Sequence, residues 1–254
     1  MTNTTLLPTV AASRPDGRPD IRTLGTTAAI FAHPDDEAYL AGGVLAALSE
    51  LGERVACVTA TRGDAGNGLH EGGDDEARKA LAATRTDELA RALAVLGVSE
   101  HHWLDYPDSR CADVDLEEAV GRLTRLLDQV QPRTVLSFGP DGYTGHPDHS
   151  AVARWTELAV ARCQVRPRLL QAVTTQADLD AGRDVDDAFQ VFVWGYPPVV
   201  APADLALRWE LDGPELVRKV AALREQHSQT AELVEAIGVE RFARWVRAES
   251  YREA

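Results

Sequence analysis

The sequence predicts an α/β fold: a doubly wound, mostly parallel sheet with helices on both faces, in one domain. Two observations predict it. Short apolar, β-branched runs alternate with segments of helical period along the first 160 or so residues. Each run also leaves into a loop rich in Gly, Asp or His before the next helix starts. A chain of 254 residues is long enough for one large domain of this kind. Residues 1–24 are polar and read as a flexible arm, and residues 25–254 as the domain.

The elements follow in order. TTAAIFA (26–32) reads as a buried strand, and a helix is expected over about 37–51, ended by Gly52. RVACVTA (54–60) is the second strand. A glycine- and acid-rich loop, 61–75, leads into a helix over about 74–96. Its Leu81, Leu89, Leu93 and Leu96 recur near helical spacing, and Gly97 stops it. A short strand precedes YPDS (106–109), a helix covers about 115–130, and TVLSF (134–138) is a further buried strand. GPDGYTGHPDH forms a loop, and a helix resumes from His149. Further on, QVFVWGY (190–196) and LALRWEL (205–211) read as strands and 214–250 as helical, with Phe242 and Trp245 in the core or an interface.

Composition narrows the function. The net charge of −14 disfavours nucleic acid and anionic membranes as partners. No apolar run approaches the roughly 20 residues of a membrane span. The N-terminus lacks a basic segment followed by an apolar core, so a cytoplasmic location is expected. Cys57, Cys111 and Cys163 are far apart, which argues against a disulfide framework or a zinc–cysteine site; Cys57 reads as a packed apolar residue. His70, His101 and His102 lie in polar, surface-like contexts.

The chemistry concentrates in two stretches. AHPDDEAYLAGG (32–43) follows the first strand, and GHPDH (145–149) follows TVLSF. In a parallel sheet both exits face one rim, where such folds bind ligands. His33 and Asp36 stand three apart across a strand-to-helix turn, close enough to share an ion. The second stretch supplies His146, Asp148 and His149. Two imidazoles and one carboxylate hold a divalent metal and leave a position for water. A carboxylate outside that set can take the water's proton. Acids at a helix start also cap N–H groups, and Glu37 is read that way. Gly42 and Gly43 fit close packing of the first helix.

These two stretches together resemble the PIG-L/LmbE-like family of metal-dependent N-deacetylases. Further matches are TRGDAG (61–66), RTDELARALAVLGV (85–98), YPDS (106–109) and REQHSQT (224–230). The resemblance implies a Rossmann-like fold and hydrolysis of N-acyl (acetyl) groups on amino sugars or glycoconjugates. It implies one Zn2+, for which other divalent metals can substitute, held by His33, Asp36 and His149. Asp35 is then the general base, and His146 the second catalytic group, oriented by Asp148. Arg62 and Asp108 match substrate-contacting positions, and Tyr143 stands near the place of an oxyanion-assisting tyrosine. The implied partner is a small N-acylated amino sugar, and a homo-oligomer is allowed for. Two alternatives stand: an amidase or deacylase for a thiol conjugate or natural product, and a metal-binding module without turnover. The net charge counts against a metallophosphoesterase.

Overall fold

The computed structural model describes residues 18–66 and 74–254. His70, the middle of the 61–75 loop and most of the N-terminal arm fall outside the described residues.

The strands are β1 (Thr27–Phe31), β2 (Val55–Thr61), β3 (Glu100–Tyr106), β4 (Thr134–Phe138), β5 (Arg168–Val173), β6 (Leu207–Glu210) and β7 (Ala248–Glu253). They form one seven-stranded sheet in the order β3-β2-β1-β4-β5-β7-β6. The first five are parallel, and β7 runs antiparallel to both β5 and β6. Every residue of β1, β2 and β4 is buried. That is expected of parallel strands covered on both faces, and explains their uninterrupted apolar runs.

The helices are α1 (Asp36–Glu50), α2 (Asp75–Leu96), α3 (Leu116–Val130), α4 (Pro147–Arg162), α5 (Gln176–Phe189), α6 (Gly213–Glu225), α7 (His227–Ile237) and α8 (Val239–Trp245). α1 and α2 pack with α6, and α3 packs with α4. Leu81, Leu89, Leu93 and Leu96 bury one stripe of α2, and Gly97 ends it in a left-handed conformation. Cys57 is fully buried in the main core.

Three expectations are corrected. QVFVWGY is not a strand: turn bonds such as Val193 N–H to Gln190 O and Gly195 N–H to Phe192 O fold it after α5. The helical region 214–250 breaks into three helices, and its end belongs to β7, whose Glu, Ser and Arg content hides a strand. Residues 18–24, given to the flexible arm, are docked. Ile21 and Leu24 are buried in the main core, and the Arg18 guanidinium lies 4.3 Å over the Trp209 ring.

The strand order positions the site. From β1 the chain winds towards β2 and β3, and from β4 towards β5. β1 and β4 are neighbours, so their carboxyl ends flank the switch point where such sheets open a crevice.

Candidate metal and catalytic site

Both histidine-containing stretches arrive at this crevice. HPDDE leaves β1 and starts α1 at Asp36. GHPDH leaves the loop after β4 and starts α4, with Pro147 in the first turn and His146 as N-cap. Proline suits that position because its missing N–H and fixed φ cost nothing there.

His33 Nδ1 and His149 Nε2 lie 3.1 Å apart. The Asp36 carboxylate lies 3.7 Å from the first and 3.5 Å from the second, and also accepts the His33 backbone N–H at 2.8 Å. The outer nitrogens explain the inner ones. His149 Nδ1 bonds to Gly142 O at 2.9 Å, so it carries the proton and leaves Nε2 a lone pair. His33 Nε2 faces Asp108 Oδ1 at 3.1 Å and Asp148 Oδ2 at 3.2 Å, so it too is protonated. With neutral rings, two lone pairs face each other across 3.1 Å beside a carboxylate. Only a proton or a metal cation can sit there favourably. Without the metal, His33 is pushed up to about 10: burial opposes protonation, but bonds to Asp108 and Asp148 and the Asp36 charge outweigh it. Burial pushes His149 down to about 4, keeping it neutral as a ligand must be. The donor set fits a borderline cation such as Zn2+.

His146 is a further nitrogen within reach. Ligand atoms of His33, His146 and His149 all lie within 4.8 Å of one another, as do those of His33, Asp108 and Asp148. In the second group the carboxylates are occupied. Asp108 accepts from Ala65 N–H at 2.7 Å, and Asp148 from Ser109 N–H at 2.7 Å and Cys111 N–H at 2.9 Å. These two acids therefore serve as partners of the His33 Nε2–H and fix the tautomer and orientation of its ring.

Asp148 touches His146 differently from the expectation. Its carboxylate is turned to His33, and its backbone N–H donates to His146 Nδ1 at 3.1 Å. That bond leaves the His146 proton on Nε2. Burial, then the nearby His33, lowers the His146 pKa, which favours the neutral ring.

Asp35 occupies φ +120°, a region non-glycine residues seldom adopt. Two contacts hold it. Its N–H donates to Glu37 Oε2 at 3.0 Å, and its Oδ2 lies 3.3 Å from Arg85 Nη2. Glu37 is fully buried and receives Gln226 Nε2 at 2.9 Å, so it supports the turn as well as starting the helix. Burial raises the Asp35 carboxyl to about 7, although Arg85 opposes the shift.

Arg85 was not singled out by the sequence reading. It lies on α2 four residues from both Leu81 and Leu89, on the buried stripe, and is 4% exposed. An arginine on an apolar stripe is the signal that could have found it. Its guanidinium also donates to the carbonyls of Pro34 and Gly63.

The predicted substrate residues divide. Asp108 and Tyr143 line the cavity over the site; Arg62 does not. Arg62 instead pairs with Asp105 at 2.8 Å, donates to Thr86 and stacks over Trp103. His101 and His102 lie on the edge strand β3, and His227 is exposed at the start of α7, where Ser228 binds Glu88.

Known proteins resemble this chain in sequence and in fold. Residues 28–160 match the PIG-L family, described as GlcNAc-PI de-N-acetylase. A 1D-myo-inositol 2-acetamido-2-deoxy-alpha-D-glucopyranoside deacetylase of Mycobacterium sp. (strain KMS) is 38% identical over 156 residues, 53% of this chain and 50% of that one. The chain thus spans about half of that relative's length. An enzyme of the same name from Saccharomonospora viridis is 33% identical over 224 residues, 79% of this chain and 83% of the relative. Among solved structures, the N,N'-diacetylchitobiose deacetylase of Pyrococcus horikoshii superposes with a TM-score of 0.62 at 23% identity, over 90% of this chain and 83% of that one. That likeness speaks for the fold. The family match spans both histidine stretches, and the chain belongs to the PIG-L (GlcNAc-PI de-N-acetylase) family.

Proposed function

We propose that the protein is a metal-dependent hydrolase that removes an acetyl group from the nitrogen of an amino-sugar conjugate. The observation that carries this is the pair of imidazole lone pairs facing each other beside Asp36, with a separate carboxylate, Asp35, held at the same rim by Arg85. His33, Asp36 and His149 would hold one Zn2+ or a similar divalent ion. When bound, the ion supplies Lewis acidity, lowering the pKa of water and polarising the amide carbonyl.

The remaining steps belong to side chains of the chain itself. Asp35, ionised, accepts the proton of the attacking water. Arg85 keeps its carboxylate in one place. His146, protonated on Nε2, donates to the oxygen that gains charge in the tetrahedral intermediate; such a donor is commonly worth about 3–4 kcal/mol. Asp35 then returns its proton to the leaving amine.

Metal removal is the direct test. Rigorous chelation is expected to abolish deacetylation of an N-acetylglucosaminyl substrate, and one equivalent of Zn2+ to restore it. Full activity in metal-free protein would refute the proposal. The pH dependence follows from Asp35. A base must be ionised, so kcat/KM is expected to rise with pH. With burial raising it and Arg85 already opposing, the carboxyl stands at about 7, and a bound cation favours the ionised form further. The midpoint of the rising limb is therefore expected below 7, and a profile flat from about pH 5 to pH 8 would remove Asp35 from the role.

A further inference from the structure

The cavity over the site has a volume of about 1420 Å³, beyond the roughly 300–1,000 Å³ of common small-ligand pockets. His33, Asp35, Asp36 and His149 line it, and a single N-acetylated sugar against them leaves much of it unfilled. The lining also includes an apolar wing of Tyr143, Leu179, Phe192, Trp194, Pro197 and Trp245. All but Tyr143 lie beyond the 28–160 stretch that matches the family.

The wing is aromatic and joined to the reacting centre. The Trp194 ring centroid is 6.1 Å from that of His146, Phe192 is 6.2 Å from Tyr143, and Tyr196 is 5.2 Å from Phe192. Gly145, at φ +76°, sits so close to the Trp194 carbonyl that a Cβ there would collide with it. The loop carrying His146 and the segment carrying Trp194 are therefore seated on each other. Yet Val193, Trp194 and Tyr196 are 68%, 63% and 51% exposed. A cluster of large apolar side chains left open beside a catalytic cleft marks a binding surface. Several polar groups of the lining are engaged: Asp178 with both terminal nitrogens of Arg208, Asp186 with Trp245 Nε1, and Arg247 with Glu210. The open rings add aromatic face beside them.

We infer that this wing is the subsite for the group attached to the sugar, and that it takes an aromatic or apolar aglycone in preference to a polyol. The inference rests on the proposed deacetylation of an amino-sugar conjugate. The Trp194 ring, 6.1 Å from that of His146, argues for substrate as the occupant, because a group linked to a sugar held at the catalytic residues comes within reach of this wing.

The test compares p-nitrophenyl and methyl glycosides of one anomeric form. Calorimetry on the glucosaminides measures binding, and kcat/KM on their N-acetyl forms measures turnover. The aryl compound is expected to bind about tenfold or more tightly, with a matching ratio in kcat/KM. Trp194→Ala is expected to bring both ratios close to one, Trp194→Phe to keep most of the preference, and Val193→Ala, off the cavity wall, to keep all of it. Equal affinities in the unaltered protein, no binding of either glycoside, or a preference surviving Trp194→Ala would overturn the inference. Self-association lost in Trp194→Ala, with no aryl preference, would assign the patch to a second copy and overturn it too. Aryl-selective binding that depends on Trp194, without turnover of any glycoside, would sink the proposed reaction and leave the subsite standing.

Discussion

Asp35→Asn is expected to lower deacetylation by about 10²–10⁴-fold while metal content stays at one ion per chain. Asparagine is the right replacement because it tolerates positive φ about as well as aspartate, and Asp35 sits at φ +120°. The N–H to Glu37 and the shape of the side chain are kept; the ability to accept a proton is lost, together with the charge that faces Arg85. Asp36, His33 and His149 are untouched, so metal binding has no reason to fall. Metal analysis beside turnover checks both halves. Undiminished hydrolysis would take the base role from Asp35. Hydrolysis and metal lost together would make Asp35 a ligand instead. The same variant separates an enzyme from a metal-binding module, for which a spare carboxylate next to the ligands has no use.

Glu249→Ala is expected to cost roughly 3–5 kcal/mol of folding stability, a fall of about 10 °C in Tm. Glu249 lies on β7 and Lys219 on α6, and neither side chain is exposed. Glu249 Oε1 accepts from Lys219 Nζ at 2.7 Å and from Gly43 N–H at 2.7 Å, and Oε2 from Val44 N–H at 2.9 Å. Lys219 Nζ also donates to Tyr39 O at 2.7 Å. The pair thus grips the middle of α1, whose first turn carries Asp36 and Glu37. Truncation leaves a buried ammonium without its counter-charge and two N–H groups short of an acceptor. Removing both charges is the control: Lys219→Met with Glu249→Leu is expected to recover much of the loss, since apolar replacement of a whole buried pair is often neutral. Chemical unfolding measures each. A loss below 1 kcal/mol in Glu249→Ala would show that the pair does not hold α1.

Close packing also explains the second of the paired glycines that end AHPDDEAYLAGG. A Cβ at Gly43 would run into the Leu211 side chain, whereas one at Gly42 would meet Lys219 only at ordinary contact distance. The sequence suggested close packing of α1 but not its partner, because Leu211, Lys219 and Glu249 are far away along the chain. The same holds for β7. AESYRE alternates poorly and carries three charges, so local pattern points away from a strand. Its Glu249 faces inwards only because Lys219 and two α1 amides meet it there. QVFVWGY erred the other way. Its apolar content reads as strand, but those rings wall a cavity rather than a sheet.

Local order was enough for the first four parallel strands, though not for β5, for most of the helices between them, and for the arrival of HPDDE and GHPDH at one rim. Each depends on neighbours in sequence: an apolar run long enough to be covered on both faces, a proline or acid at a helix start, a glycine at its end. What the tertiary structure alone decided is which polar groups compensate one another. Arg85 beside Asp35, Asp148 turned to His33 rather than to the His146 ring, Arg62 drawn away to Asp105, and Glu249 set against Lys219 all join residues distant in the chain. A buried charge is tolerable only where an opposite charge or a hydrogen-bond partner reaches it. Which partner reaches it is a property of the packed sheet and helices, and no local stretch of sequence carries it.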